Sequence, residues 1–337
     1  MEGVKSNETR PRLAVLTAPG VPEPHNIDAI RARADVVLTD ADHLAAALAG
    51  TDAVLLWDFF SSALRDAWPG ADRLEWVHVA AAGVDAIMFD ELRDSDVLLT
   101  NAHGFFDVPI AEFVLASVMA HQKQLHASKS LQRDGVWRHR EPTATRGSRA
   151  LVVGTGGIGR ATARLLHAVG MEVRGAGRTA RTDHPDFGTV VDSADLAEHV
   201  GWADHVVLAA PLTPQTAGIV DAAVLAAMAP HAHLVNIGRG ALVDEPELER
   251  ALRDGGVAAA SLDVFTVEPL PAGHAFWEMP NVHVSAHMCG DVVGWRDALA
   301  DQFLENLDAY VAGEPLGNVV DKERGYVPAP TSTRAGA

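Results

Sequence analysis

Leu151-Val152-Val153-Gly154-Thr155-Gly156-Gly157-Ile158-Gly159, followed by the run from Arg160 to Val169, sets a glycine-rich turn between an apolar strand and a helix. Gly154 permits a tight turn, Gly156 lets the backbone approach a pyrophosphate, and Gly159 lets the helix pack closely on the strand. Gly157 and Ile158 open the helix, whose first N–H groups suit phosphate charge. The chain holds 29 glycines, so Gly-rich matches arise by chance. The strand–turn–helix setting is what makes this one a dinucleotide fingerprint. Within the helix, Ile158, Leu165, Leu166 and Val169 read as the packed face, with Gly170 past its end.

An NAD-type site places an acidic residue about 20 residues beyond the last glycine, on the ribose hydroxyls. That region here reads Gly177-Arg178-Thr179-Ala180-Arg181. Two guanidinium groups and a hydroxyl attract a 2′-phosphate that a carboxylate would repel. The plain alternative is a solvated basic turn. The pattern favours NADP(H), with NAD(H) second.

Outward from this centre the chain alternates short apolar runs with helical stretches, the pattern of parallel α/β layers. Before the fingerprint, strands are expected at 13–17, 35–39, 53–57, 76–80 and 97–101. A single long helix is expected from Ile110 to Gln132, with Ile110, Phe113, Val114 and Val118 on one face, then an irregular arm from Asp134 to Ser148. After it, strands are expected at 150–153, 171–175, 205–209, 233–237, 257–262 and 282–285, separated by helical segments. A helix at 244–254 has Pro246 in its first turn and Gly255 beyond its end; a closing helix at 295–312 stops at Gly313. The tail from Val327 reads as frayed.

Composition bounds the function. The 337 residues exceed the ~250 at which single cores stop growing, so two domains are expected. No apolar run approaches the ~20 residues of a membrane span, and the polar stretch Met1 to Arg12 lacks a secretory apolar core. The net charge of −18 argues against nucleic-acid or anionic-lipid partners. A single cysteine, Cys289, forms no internal disulfide, which fits a reducing cytoplasm. No metal site is read.

Three segments end later strands with polar groups: Asn236-Ile237-Gly238-Arg239-Gly240, Asp263-Val264-Phe265-Thr266-Val267-Glu268-Pro269, and Ser285-Ala286-His287-Met288-Cys289-Gly290. With Ala210-Pro211-Leu212-Thr213-Pro214-Gln215-Thr216 and Asn101-Ala102-His103-Gly104, they resemble the D-isomer-specific 2-hydroxyacid dehydrogenases over nearly the whole chain. The resemblance implies two doubly wound parallel-sheet α/β domains. A Rossmann cofactor domain, 104–290, is inserted into a flavodoxin-like substrate domain, 1–103 plus 291–337, with substrate held between them.

It also implies roles. Arg239 looks like the cation that holds a carboxylate and polarises the adjacent carbonyl. His287 looks like the general acid and Glu268 like its partner. The main chain of Ala82 and Gly83 resembles the family's carboxylate cradle. Asp263 resembles the residue that bonds the nicotinamide amide. Pro211, Thr216, Ile237, Gly238 and Gly290 resemble further cofactor contacts, although Thr213 and Thr216 could equally cap a helix. Trp57, Phe59 and Trp137 are candidate pocket walls, against an ordinary role in the core. Many members have Pro where Ala286 stands, so the His287 loop is expected to be looser. Cys289 is either a thiol whose modification blocks the site or a packed residue.

The reading is an NADPH-using reductase of a small 2-oxo acid such as glyoxylate or hydroxypyruvate, acting as a homodimer. The rivals are a dinucleotide-sensing scaffold of the same fold, or a relative of the formate and phosphite dehydrogenases. The formate enzymes use Gln where Glu268 stands, which favours 2-oxo acid reduction.

Overall fold

A computed structural model describes residues 10–328, so the last part of the tail expected to fray lies outside the described residues. The chain divides into two compact units, one of residues up to Phe105 and from Val292 onward, the other Phe106–Asp291.

The first unit is built on a five-stranded parallel sheet: β1 (Arg12–Leu16), β2 (Asp35–Thr39), β3 (Ala53–Leu56), β4 (Trp76–Val79) and β5 (Leu98–Asn101), in the order 2-1-3-4-5. That is the flavodoxin-like order. β3 and β4 are buried along their whole length, as strands covered on both faces must be. The helix Trp295–Ala312 adds Leu299, Phe303 and Leu307 to the buried side and ends at Gly313 with φ +69°.

The second unit carries eight strands: β6 (Arg149–Val153), β7 (Glu172–Gly177), β8 (Arg181–His184), β9 (Gly188–Asp192), β10 (His205–Leu208), β11 (His233–Asn236), β12 (Ala259–Leu262) and β13 (Val282–Val284). Their order, 13-12-11-10-6-7-9-8, is the doubly wound Rossmann arrangement extended at both edges. All pairs are parallel except β8 with β9. The hairpin formed by those two is absent from the sequence reading. Arg181-Thr182-Asp183-His184 is polar and largely exposed, so it carries no apolar strand signal.

The expected 110–132 helix is two helices, α1 (Asp107–Gln122) and α2 (Leu125–Arg133), broken where Gln124 turns left-handed at φ +51°. Only α1 is packed, through Ile110, Ala111, Val114 and Val118, with Phe113 half-buried at the margin. The fingerprint helix, α3 (Gly157–Ala168), buries Gly159, Thr162, Ala163 and Leu166. Ile158, Leu165 and Val169 are only half-buried, which corrects the expected face. Close approach selects small side chains here: a Cβ on Gly159 would collide with the carbonyl oxygen of Gly154. α4 (Glu245–Asp254) begins one residue after the expected start, because Asp244 is its N-cap and accepts the Glu247 N–H, and it ends as expected before Gly255, left-handed at φ +75°. Such an N-cap is worth about 1 kcal/mol.

Candidate active site

The strand order of the second unit reverses between β6 and β10, and the glycine turn leaves β6 at that point. Gly154 has φ +109°, and a Cβ there would lie 2.6 Å from the backbone of Ala209 and Ala210. The fold itself therefore demands glycine at 154 and 159. Gly156 is different: a Cβ there meets nothing within 4 Å. Its bareness leaves open space beside the first turn of α3, and as N-cap it brings no side-chain oxygen to that turn. Open space and N–H groups without that cap fit a pyrophosphate. Gly157 lies against the Asp107 carboxylate of α1, and Ile158 is half-buried in the first helical turn.

β7 ends at Gly177, where a Cβ would meet the Thr155 hydroxyl at 3.1 Å and methyl at 3.2 Å. Arg178, Thr179 and Arg181 are exposed around the turn into β8. Behind them the buried Asp186 takes Arg160 Nε and Arg164 Nε, each at 2.6 Å, which ties the hairpin to α3. Burial acts to raise the Asp186 carboxyl, but the two guanidinium groups outweigh it and hold it below the usual carboxylate range.

Arg239, Glu268 and His287 follow β11, β12 and β13, at the carboxyl ends of neighbouring parallel strands. Each turn has its own support. Asn236, buried at the end of β11, accepts the Gly238 N–H at 3.1 Å and donates to the Arg239 carbonyl at 2.9 Å. The Arg239 guanidinium donates to the Gly238 carbonyl at 2.8 Å. Glu268 Oε1 accepts the Phe265 N–H at 2.8 Å, and Oε2 meets His287 Nδ1 at 2.7 Å. Burial acts to raise the Glu268 carboxyl. The bonds from His287 and Phe265, with the charge of Arg239, reverse this and keep it below its ordinary value. Arg239 therefore acts on Glu268 through its charge, while His287 bonds Glu268 directly.

Other expected residues fall differently. Asp263, expected at the nicotinamide, is wholly buried, with both carboxylate oxygens bonded to the Ser285–Cys289 turn. Trp57, a candidate pocket wall, is 2% exposed and donates its indole N–H to the Pro22 carbonyl at 2.7 Å. Phe59 packs edge-on to Trp295, and Trp137 is fully exposed.

Thr216 donates to the Pro211 carbonyl at 2.6 Å and accepts the Thr213 N–H at 2.8 Å, closing a turn rather than capping a helix. Ile237 is buried, and Gly238 lies so close to Leu242 that a Cβ would stand 2.7 Å from it. Gly290 is pressed on the Phe106 ring of its own unit, 2.6 Å from where a Cβ would be. Cys289 is buried, and burial with the neighbouring Asp263 charge pushes its thiol far up, which favours the packed reading over a reactive one. In the first unit, Ala82 and Gly83 follow β4 half-buried, and Asn101 donates to the Ala82 carbonyl at 2.5 Å.

Among the described residues, no three His, Cys, Asp or Glu side chains form a group able to hold a metal, and no helix is long and apolar enough to cross a membrane.

Comparison with known proteins places this geometry. The profile of the D-isomer specific 2-hydroxyacid dehydrogenase NAD-binding domain matches residues 115–289, more than half the chain. Glyoxylate/hydroxypyruvate reductase A of Serratia proteamaculans is 33% identical over 263 residues, covering 75% of this chain and 82% of the relative. Two solved structures superpose along 94% of this chain and their full length. One is an NADPH-dependent glyoxylate/hydroxypyruvate reductase from Sinorhizobium meliloti bound to NADP and sulfate, at 28% identity and TM-score 0.79. The other is a D-isomer specific 2-hydroxyacid dehydrogenase from Xanthobacter autotrophicus bound to NADPH and MES, at 31% identity and TM-score 0.78. The chain is a member of the D-isomer specific 2-hydroxyacid dehydrogenase family.

Proposed function

We propose that this dehydrogenase reduces a small 2-oxo acid, of the size of glyoxylate or hydroxypyruvate, to the D-2-hydroxy acid with NADPH in preference to NADH. The observation that carries the reading is the His287–Glu268 pair at 2.7 Å, with the Arg239 charge acting on Glu268, at the carboxyl ends of the sheet that also carries the phosphate turn. The likeness to the Serratia glyoxylate/hydroxypyruvate reductase, and to the two solved relatives bound to NADP or NADPH, supports it.

A dinucleotide held at the glycine turn would supply the hydride for C2 of the acid. Arg239 pairs its planar fork with the substrate carboxylate and draws electron density from the neighbouring carbonyl. His287, tied through Nδ1 to Glu268, gives its Nε2 proton to the carbonyl oxygen, so the C=O bond becomes H–C–O–H. Glu268 orients the ring and offsets its charge while the proton is held. In the reverse direction His287 takes that proton back. The main chain of Ala82 and Gly83 is the proposed additional carboxylate cradle. Gly177, Arg178, Thr179 and Arg181 discriminate in favour of the 2′-phosphate. A homodimer is proposed through the α1–α2 and arm region; chemical crosslinking checks it, and a clean monomer would contradict it.

The test is a panel of glyoxylate, hydroxypyruvate, pyruvate and phenylpyruvate with each dinucleotide. Turnover of the smaller acids with NADPH is expected, and none with any 2-oxo acid would favour a sensing scaffold. Arg178→Ala with Arg181→Ala should raise the KM for NADPH at least tenfold more than that for NADH, the worth of ~1.4 kcal/mol in lost phosphate contacts. Equal effects on both would remove the 2′-phosphate argument.

A further inference from the structure

His287 stands at φ +51°, in the left-handed region that a side-chain-bearing residue enters only against steric strain. Something must hold that turn. Asp263, at the end of the neighbouring strand, meets it at every polar atom after its own N–H, which donates to Asn236 at 3.0 Å. The Asp263 carbonyl accepts the His287 N–H at 2.8 Å. Its Oδ1 accepts the Ser285 hydroxyl at 2.5 Å and the Met288 N–H at 3.0 Å, and its Oδ2 accepts the Cys289 N–H at 2.9 Å. The side chain is wholly buried. A carboxylate accepting several such bonds, withdrawn from water, fixes geometry strongly because each donor it releases would be left buried without a partner.

We propose that Asp263 is a positioning residue for the reaction: it clamps the Ser285–Cys289 turn and so sets where His287 presents its imidazole. This rests on the proposed acid–base role of His287, and the test separates the two.

Asp263→Asn keeps the shape but turns an N–H donor toward main-chain N–H groups. It should lower kcat about 100-fold while the Kd for NADPH, read from tryptophan fluorescence, stays within threefold. Ser285→Ala keeps the charge and removes one bond, and should lower kcat three- to tenfold with the same unchanged Kd. Cys289 is the single cysteine, so its rate of labelling by a thiol reagent in the folded protein reports opening of the turn without reference to activity. Labelling should quicken at least fivefold in both variants, and in Ser285→Ala this cannot come from loss of the neighbouring charge.

A raised NADPH Kd with kcat near wild type would make Asp263 a cofactor contact and overturn the proposal, as would unchanged labelling in Ser285→Ala. If Asp263→Asn fails to fold, the Ser285→Ala measurements decide. If labelling quickens in a protein whose His287→Ala variant keeps full kcat, the clamp stands and the acid–base reading falls.

Discussion

An imidazole whose Nδ1 is tied to a carboxylate meets its substrate through Nε2, and the quality of that tie governs the proton it handles. Glu268 is held below its ordinary value, so its charge persists on acidification until the pH passes under the usual carboxylate range near ~4. Loss of activity between pH 7 and 5 therefore does not come from Glu268 becoming neutral. Glu268→Gln keeps a hydrogen-bonding shape but no charge. It should lower kcat about 10²–10⁴-fold, with the KM for the 2-oxo acid changed only a few-fold, as steady-state kinetics will read. A kcat within twofold of wild type would leave His287 acting without its partner. The residues to which this chemistry is assigned, Arg239, Glu268 and His287, stood out because each lies in a polar segment that follows an apolar strand. The duties of Asn236 and Asp263 did not. A buried polar group takes its role from backbone N–H groups that only the folded turns bring to it.

At the scale of elements, the strands were readable because parallel strands buried on both faces are continuous apolar runs. The break at Gln124 was not readable from a breaker residue, since neither Gly nor Pro marks it; the only signal is the change from the apolar α1 to the polar, unburied α2. The β8–β9 hairpin escaped for a similar reason: its packing depends on Phe187 and on Asp186 bound by two arginines of α3, not on a strand pattern. The glycine turn was readable in every position, but its glycines divide by purpose. Gly159→Ala would drive a methyl into the Gly154 carbonyl, and should lower the melting temperature by several degrees and weaken dinucleotide binding together. At the end of β7, Gly177→Asp places a carboxylate where NAD-type sites carry one, yet its Cβ must crowd Thr155 at 3.1–3.2 Å. The single substitution should cut kcat/KM for NADPH by tenfold or more with little gain for NADH. Adding Thr155→Ser, which removes the methyl, should raise the NADH value above that of the single variant. Equal NADH efficiency in the two would show that Thr155 yields freely.

On the scale of the whole molecule, each unit encloses histidines that must stay neutral. In the first, His78 is buried beside Thr100, 2.8 Å from its hydroxyl, and burial pushes its pKa down to about 3. In the second, His205 and His233 pair at 3.3 Å under His121; burial lowers His205 to about 4 and His233 further below its ordinary value, with the other imidazoles adding to the effect. An unfolded chain takes up protons at these sites below ~6.5, whereas the folded units do not until far lower pH. Stability is therefore present above ~6.5 and is lost as pH falls from there toward 4. Each fully depressed histidine costs about 2 kcal/mol between pH 7 and 5, a large share of a typical 5–15 kcal/mol. Carboxylates do not offset this within the window. Asp204, held down to about 2 because Arg149 and His231 outweigh its burial, loses its contribution only below ~4. Calorimetric unfolding should show the melting temperature dropping by several degrees from pH 7 to 5, with net proton uptake on unfolding. His78→Asn and His205→Asn, which remove the titrating group, should flatten that slope even where they lower stability at pH 7. A melting temperature constant from pH 7 to 5, or a slope that both variants retain, would place the acid sensitivity outside these buried imidazoles.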